Sequence, residues 1–187
     1  MFKNTIFRRM TALVLTLALA AAAALPGHAV YPMPIQTASE TEAVYLFNAD
    51  TGKTILNQNA GQQQYVASLT KLMTALLLLE SGKDLNGEVT VPTALTQEFR
   101  DIQNANGTTM GLRIGETVRR IDLLNAMLIV SANDAASVIA YDVGGSVLDF
   151  VKQMNARAQE LGCTGTNFTC APGLFDSGNL STAQDLA

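Results

Sequence analysis

The run from Leu69 to Leu79 constrains this chain more than any other stretch. Leu69, Leu72, Met73, Leu76 and Leu77 recur at i, i+3, i+4, i+7 and i+8, which predicts an amphipathic helix. Leu78 and Leu79 widen the apolar surface beyond one stripe, so the helix is expected to be central and buried. Lys71 nevertheless lies inside this run, one turn after Ser68. An ammonium group is costly to bury without partners. One reading puts both residues at the surface, with Ser68 as an N-cap and Lys71 snorkelling from the first turn. The other is that the fold needs an amine beside that hydroxyl.

The N-terminus reads as a secretory leader. Lys3, Arg8 and Arg9 precede an almost wholly apolar stretch from Met10 to Leu25, and Gly27 and Ala29 supply small residues at the −3 and −1 positions. Residues 1–29 are therefore expected to be a signal peptide cleaved after Ala29, with an uncleaved anchor as the alternative. None of the 16 acidic residues but three of the 12 basic ones lie there, which leaves nine bases against 16 acids, a net charge of −7 over 158 residues. An acidic chain without a basic cluster argues against nucleic acid as a partner. The length suits one domain burying roughly 70% of its unfolded surface.

The only histidine, His28, belongs to that leader. The mature chain thus lacks a histidine base for a Ser-His-Asp arrangement and histidine ligands for a metal, and no cofactor is expected. Cys163 and Cys170 are the two cysteines. Export would permit a disulfide, but spacing leaves a bridge and two free thiols equally open.

Residues 30–41 read as a linker with Pro32 and Pro34. From Ala43 to Asn48 the residues alternate as in a strand, Ala49 to Gly52 signal a turn, and Lys53 to Leu56 return as a partner strand. The leucine-rich helix ends at Gly82, and Glu88 to Val91 is a short strand. Residues 99–111 read as loop. Ile121, Leu124, Met127 and Leu128 mark a second helix ending near Val130, at the cap-rich break Ser131-Ala132-Asn133-Asp134. A third helix is expected from Asp134 to Val143. Ser146 to Asp149 forms a capping box for a fourth, whose Phe150, Met154 and Leu161 share a face before Gly162. Loop signals then continue to the STAQDLA segment, residues 181–187. The inventory is α/β in the α+β sense, a hairpin followed by helices. Two or three strands do not make a stable sheet unaided, so most of a sheet is expected to lie beyond the C-terminal end of the sequence.

Chemistry gathers at Ser68 and Lys71, which i, i+3 spacing puts on one helical face. A serine hydroxyl needs a neighbour to take its proton. A neutral lysine serves if its pKa falls from ~10.4 towards ~7–8, which the site must support with roughly 4 kcal/mol. Burial among leucines and a helix N-terminus both push that way. Ser131 and Asn133 on a short interhelical loop could relay a proton and hold a substrate carbonyl, or simply cap helix ends. Ser-x-Asn alone says little, since Ser177-Gly178-Asn179 matches it too.

Longer strings say more. ASLTKLMTALLLLE (67–80), LIVSANDAA (128–136), MNARAQELG (154–162) and STAQDLA (181–187) occur in this order. Together they resemble the serine D-alanyl-D-alanine carboxypeptidases, the low-molecular-mass penicillin-binding proteins of bacterial cell walls. The resemblance spans about Glu42 to Ala187 and implies a β-lactamase/transpeptidase-like fold, a helical cluster packed on an antiparallel sheet. It implies Ser68 as nucleophile, Lys71 as its base, Ser131 as proton relay and Asn133 as a substrate-binding residue. The implied substrate is the D-Ala-D-Ala end of a peptidoglycan pentapeptide stem, cut through an acyl-serine, with β-lactams as covalent inhibitors. Such a protein would be exported, periplasmic or extracellular, and touch a membrane only through an uncleaved leader or a C-terminal region.

Two departures stand out. Where the family usually reads Asn-Pro-His-Gly-Leu, this chain has Cys170-Ala171-Pro172-Gly173-Leu174, a loop expected to differ locally and given no catalytic role. The family's Lys-Thr-Gly strand, a source of substrate contacts and one oxyanion donor, has no counterpart here. Residues 42–187 are therefore expected to be the N-terminal part of such a catalytic domain, and residues 30–187 alone to be poorly stable, prone to association and without turnover. A non-catalytic penicillin-binding remnant is the alternative. A serine β-lactamase of class A is disfavoured, because no Glu-x-x-Leu-Asn follows Asn133.

Overall fold

The computed structural model describes residues 40–174 and 176–187. The expected leader and all but the end of the expected linker lie outside the described residues.

The hairpin forms as expected. β1 (Val44–Asn48) pairs antiparallel with β2 (Lys53–Gln58), with an irregularity between Leu46 and Phe47. Asn48 closes the turn, its carbonyl accepting from Gly52 N and its side chain from Thr51 N. β3 (Gln64–Tyr65) follows, then a 3₁₀ turn over Ala67–Thr70 that runs directly into α1 (Lys71–Glu80). β4 (Glu88–Thr90) and a 3₁₀ turn (Thr93–Leu95) lead to α2 (Thr96–Asn104). β5 (Thr117–Arg119) precedes α3 (Arg120–Ile129), α4 (Asn133–Gly144) and α5 (Val147–Glu160), and β6 (Leu180–Ser181) precedes the short α6 (Ala183–Leu186).

Among the described residues the strands form three separate two-stranded antiparallel sheets: β1 with β2, β3 with β6, and β4 with β5. The β3–β6 pair matters most for the site. It brings the C-terminal segment back beside the turn that carries Ser68.

The central helix is α4, not the leucine-rich α1. Residues 133–140 are all buried. Ala135, Ala136, Ser137 and Ala140 are small enough for neighbours to pack close on every side, a pattern without the apolar periodicity that marks an amphipathic helix. One core cluster joins Leu78, Leu95, Leu123, Met127, Val138 and Ile139, and a second joins Met73, Ala140, Phe150, Met154 and Phe168. In α1 the buried residues are Lys71, Met73, Thr74, Ala75 and Leu78, whereas Leu69, Leu72 and Leu79 are about half exposed. The expected apolar face is thus rotated from the observed one. Polar residues occupy the buried face because they have partners there, described below.

Two further expectations change. Residues 99–111 are not all loop, because α2 occupies Thr96–Asn104 and buries Ile102. The Asn and Gly residues read as loop signals mark where that helix stops. Leu161 is half exposed, and Ala158 takes the expected place on the buried face of α5. The Ser146 cap is as expected, its side chain accepting from Asp149 N.

A bidentate ion pair ties α3 to α4. Arg120 donates from Nε and Nη2 to Asp142 at 2.7 and 3.0 Å, and Lys83 lies 3.4 Å from the same carboxylate. Burial pushes the Asp142 carboxyl up, but the hydrogen bond and charge of Arg120, with Lys83, outweigh it and hold it below its ordinary value. A carboxyl lowered in the folded state stabilises the fold above its unfolded pKa of ~3.9, and that contribution is lost as pH falls through the folded value. Asp142→Asn should therefore lower urea stability by about 1–3 kcal/mol near pH 7, since it leaves a mostly buried guanidinium without its counter-charge. The gap to the unmutated protein should close below about pH 4. An equal gap at pH 3 and pH 7 would contradict this account.

Candidate active site

Val66 is buried and anchors the chain just before the site, its carbonyl accepting from Leu69 N. Ala67 then takes a positive φ of 44°, a conformation disfavoured for any residue with a Cβ. This bend presents Ser68 at the surface while Lys71, one turn on, points inward and is 3% exposed. Neither residue caps the helix, because neither the 3₁₀ turn nor α1 has a side-chain cap. The surface reading therefore holds for the exposure of Ser68 but not for its capping role or for Lys71.

Lys71 Nζ has three hydrogen-bond partners. It donates to Ser68 Oγ at 3.2 Å, Asn133 Oδ1 at 2.8 Å and the Pro172 carbonyl at 2.6 Å. All three are neutral. Burial lowers the Lys71 pKa to about 8, and only an ionised Cys170 would oppose it. Near neutral pH a useful fraction of the amine is therefore uncharged. A neutral amine has two N–H bonds and one lone pair. The amide and peptide oxygens can only accept, so they take the two N–H bonds and leave the lone pair facing the Ser68 hydroxyl.

The junction of α3 and α4 supplies the second half of the site. Ser131, with φ 59°, donates from Oγ to Ser68 Oγ at 2.9 Å. Asn133 begins α4, 6% exposed. Its Oδ1 holds Lys71, and its Nδ2 donates to Thr108 O at 2.9 Å. Neither Ser131 nor Asn133 caps a helix; the residues flanking these helix ends are Val130 and Ala132. All four expected residues thus converge. Asn133, expected to face substrate, has both ends of its amide engaged within the chain.

The loop of residues 170–174 also belongs to the site, against expectation. Its Pro172 carbonyl is the shortest of the Lys71 contacts, and Thr74 Oγ1 donates to the adjacent Ala171 carbonyl at 2.8 Å. Backbone acceptors are invisible to motif reading. The signal that could have found them is Gly173, whose φ is 78° and where a Cβ would fall on the Ala67 carbonyl. Asn179, dismissed with its Ser-x-Asn match, is buried and donates to Thr70 Oγ1 at 2.9 Å. Asp134 was also missed. It is 2% exposed and accepts from the backbone N–H groups of Met110, Gly111 and Leu112, each at 3.0 Å. It thereby pins the loop that Asn133 also holds.

A cleft of about 400 Å³ opens at Ser68, walled by Leu69, Leu72, Met127 and Leu128. Among the described residues no cluster of His, Cys, Asp and Glu is suited to a metal. Cys163 and Cys170 are free thiols, each pushed above its ordinary pKa chiefly by burial.

Residues 31–187 match the D-alanyl-D-alanine carboxypeptidase family, and the chain belongs to it. It is 34% identical over 155 residues to the D-alanyl-D-alanine carboxypeptidase DacF of Bacillus subtilis, covering 81% of this chain and 38% of that one. With DacA of Haemophilus influenzae the identity is 35% over 159 residues, 82% of this chain and 39% of the relative. The chain thus spans less than half the length of these two. Among solved structures, the Streptomyces K15 DD-transpeptidase superposes with a TM-score of 0.68 at 30% identity, over 76% of this chain and 56% of that one. Penicillin binding protein 5 of Haemophilus influenzae gives 0.63 at 34% identity, over 73% and 40%. The fold is of the transpeptidase and β-lactamase type, as expected.

Gly173 offers a direct check on the geometry. Gly52 has a similar φ of 66° but open space where a Cβ would go. Gly52→Ala should cost about 1 kcal/mol for its backbone conformation alone. Gly173→Ala should cost clearly more, about 2–4 kcal/mol, because the loop must also retreat from Ala67. Urea denaturation of the two variants measures the difference. Equal losses would mean that the loop does not press on the Ser68 turn.

Proposed function

We propose that the chain carries the acylating half of a serine-type D-Ala-D-Ala carboxypeptidase that acts on peptidoglycan stem peptides. The observation that supports this most is the neutral cage around Lys71. It leaves an amine of lowered pKa with its lone pair directed at a surface serine.

In this reading Lys71 takes the Ser68 proton as Oγ attacks the carbonyl carbon of the terminal D-Ala-D-Ala peptide bond. The C–N bond then breaks. Lys71 gives that proton up by way of Ser131, hydrogen-bonded to Ser68, to the departing amine, and free D-alanine leaves. The acyl group stays on Ser68 as an ester until water releases it and returns the proton to the hydroxyl. Asn133 holds Lys71 in place, and its contact with substrate requires the amide to leave Thr108. A β-lactam presents a strained amide to the same Oγ and leaves a longer-lived ester. The whole enzyme also draws an oxyanion donor from a Lys-Thr-Gly strand, as the family resemblance implies. The leader of residues 1–29 would send the protein out of the cytoplasm to the cell wall.

Labelled penicillin should attach to Ser68, located by peptide mass mapping. Ser68→Ala should abolish the label. Because Ser68 Oγ caps nothing, that variant should keep its stability within about 0.5 kcal/mol, the usual range for an exposed site. Persistent label on Ser68→Ala would refute the nucleophile assignment. In a protein that also carries the Lys-Thr-Gly strand, label without D-alanine release from a diacyl-D-Ala-D-Ala peptide would favour the non-catalytic penicillin-binding reading.

A further inference from the structure

Three buried polar residues on α1 and its preceding turn all bond to the same returning segment. Thr70 Oγ1 accepts from Asn179 Nδ2, Lys71 donates to Pro172 O, and Thr74 donates to Ala171 O. Lys71 and Thr74 are three residues apart, so they share one face of the helix. They meet successive carbonyls of one loop. Thr74 and Ala171 are both 0% exposed.

We propose that Thr74 is a positioning residue for Lys71: its hydroxyl fixes the Ala171 and Pro172 carbonyls against α1, and so keeps the amine dry and aimed at Ser68. The inference rests on the reading of Lys71 as the base. A threonine within a helix ordinarily turns its hydroxyl to the carbonyl four residues back. Here the hydroxyl reaches across to another segment instead. Without it the Ala171 carbonyl would be buried and unsatisfied, which favours lifting the loop into water. The Pro172 carbonyl would move with it.

The groups that face Lys71 leave this contact decisive. Cys170 is the titratable side chain acting on it, and that thiol is kept neutral by burial. Glu98 lies beyond Cys170, with its carboxylate accepting from Ser137 Oγ at 3.0 Å. Ser68, Asn133 and Pro172 are uncharged. Desolvation therefore governs the protonation of Lys71, and the 170–173 loop supplies part of that desolvation. Opening the loop should return the amine towards its ordinary, charged behaviour.

The test reads Lys71 directly and does not depend on turnover. In protein labelled with ¹³C at lysine Cε, the Lys71 resonance is the one lost in Lys71→Met. Its titration midpoint should lie near 8. In Thr74→Val, an isostere without the donor, the midpoint should rise by about one pH unit or more. In Thr74→Ser it should stay. If Thr74→Val does not fold, Thr74→Cys makes the same comparison with a weak donor, and the midpoint should again rise. An unchanged midpoint in the folded Val or Cys variant overturns the proposal. Failure of penicillin to label Ser68 would overturn the underlying reading instead. Where Ser68 is labelled, Thr74→Val should slow acylation about tenfold at pH 7 and recover near pH 10, because the neutral fraction of the amine is what changes.

Discussion

The site depends on one buried amine with neutral partners. A carboxylate beside Lys71 would hold it charged and useless as a base, and open water would do the same. Three dipoles from three parts of the chain satisfy its hydrogen-bonding needs without supplying a charge. This arrangement lets burial lower the pKa without leaving an orphaned polar group. The contrast with Arg120 is instructive. That cation sits against Asp142 and its pKa is raised, so it stays charged and serves to hold structure together.

Much of the fold can be understood as holding those dipoles. α4 is the pivot. Its first residues send Asn133 forward to Lys71 and Asp134 backward to the 107–112 loop, while its alanines let α1, α3 and α5 close around it. The β3–β6 pair and the Asn179 contact bring the C-terminal segment under the Ser68 turn. Positive φ values occur at Ala67, next to Ser68, and at Ser131 itself. Strain of this kind persists only where surrounding contacts impose it.

How much of this could be read beforehand varies with the kind of residue. The hairpin, the α5 cap and the α3–α4 break follow from local chemistry, and all four expected site residues meet in space. Their convergence was carried by side chains of distinctive chemistry at distinctive spacing. The missed parts lack such marks. Ala171 and Pro172 act through backbone carbonyls, which every residue has. α4 is buried on all sides, so periodicity could not rank it as central. The leucines of α1 misled for the opposite reason. Hydrophobicity put Leu69 and Leu72 inside, but the inward face went to Lys71 and Thr74, whose partners lie about 60 to 100 residues away in sequence.

Those separations carry a consequence for the newly made chain. In an unfolded chain Lys71 is surrounded by water and has the ordinary lysine pKa of ~10.4, so it is charged and Ser68 is an ordinary alcohol. Asn133 and Pro172 reach the amine only when segments 62 and 101 residues apart have closed together. Reactivity is thus not a property that the polypeptide carries while it is extended or partly folded. On the proposed reading it arises only once those contacts have formed, so a half-formed molecule has no activated serine to spend on the wrong acyl donor.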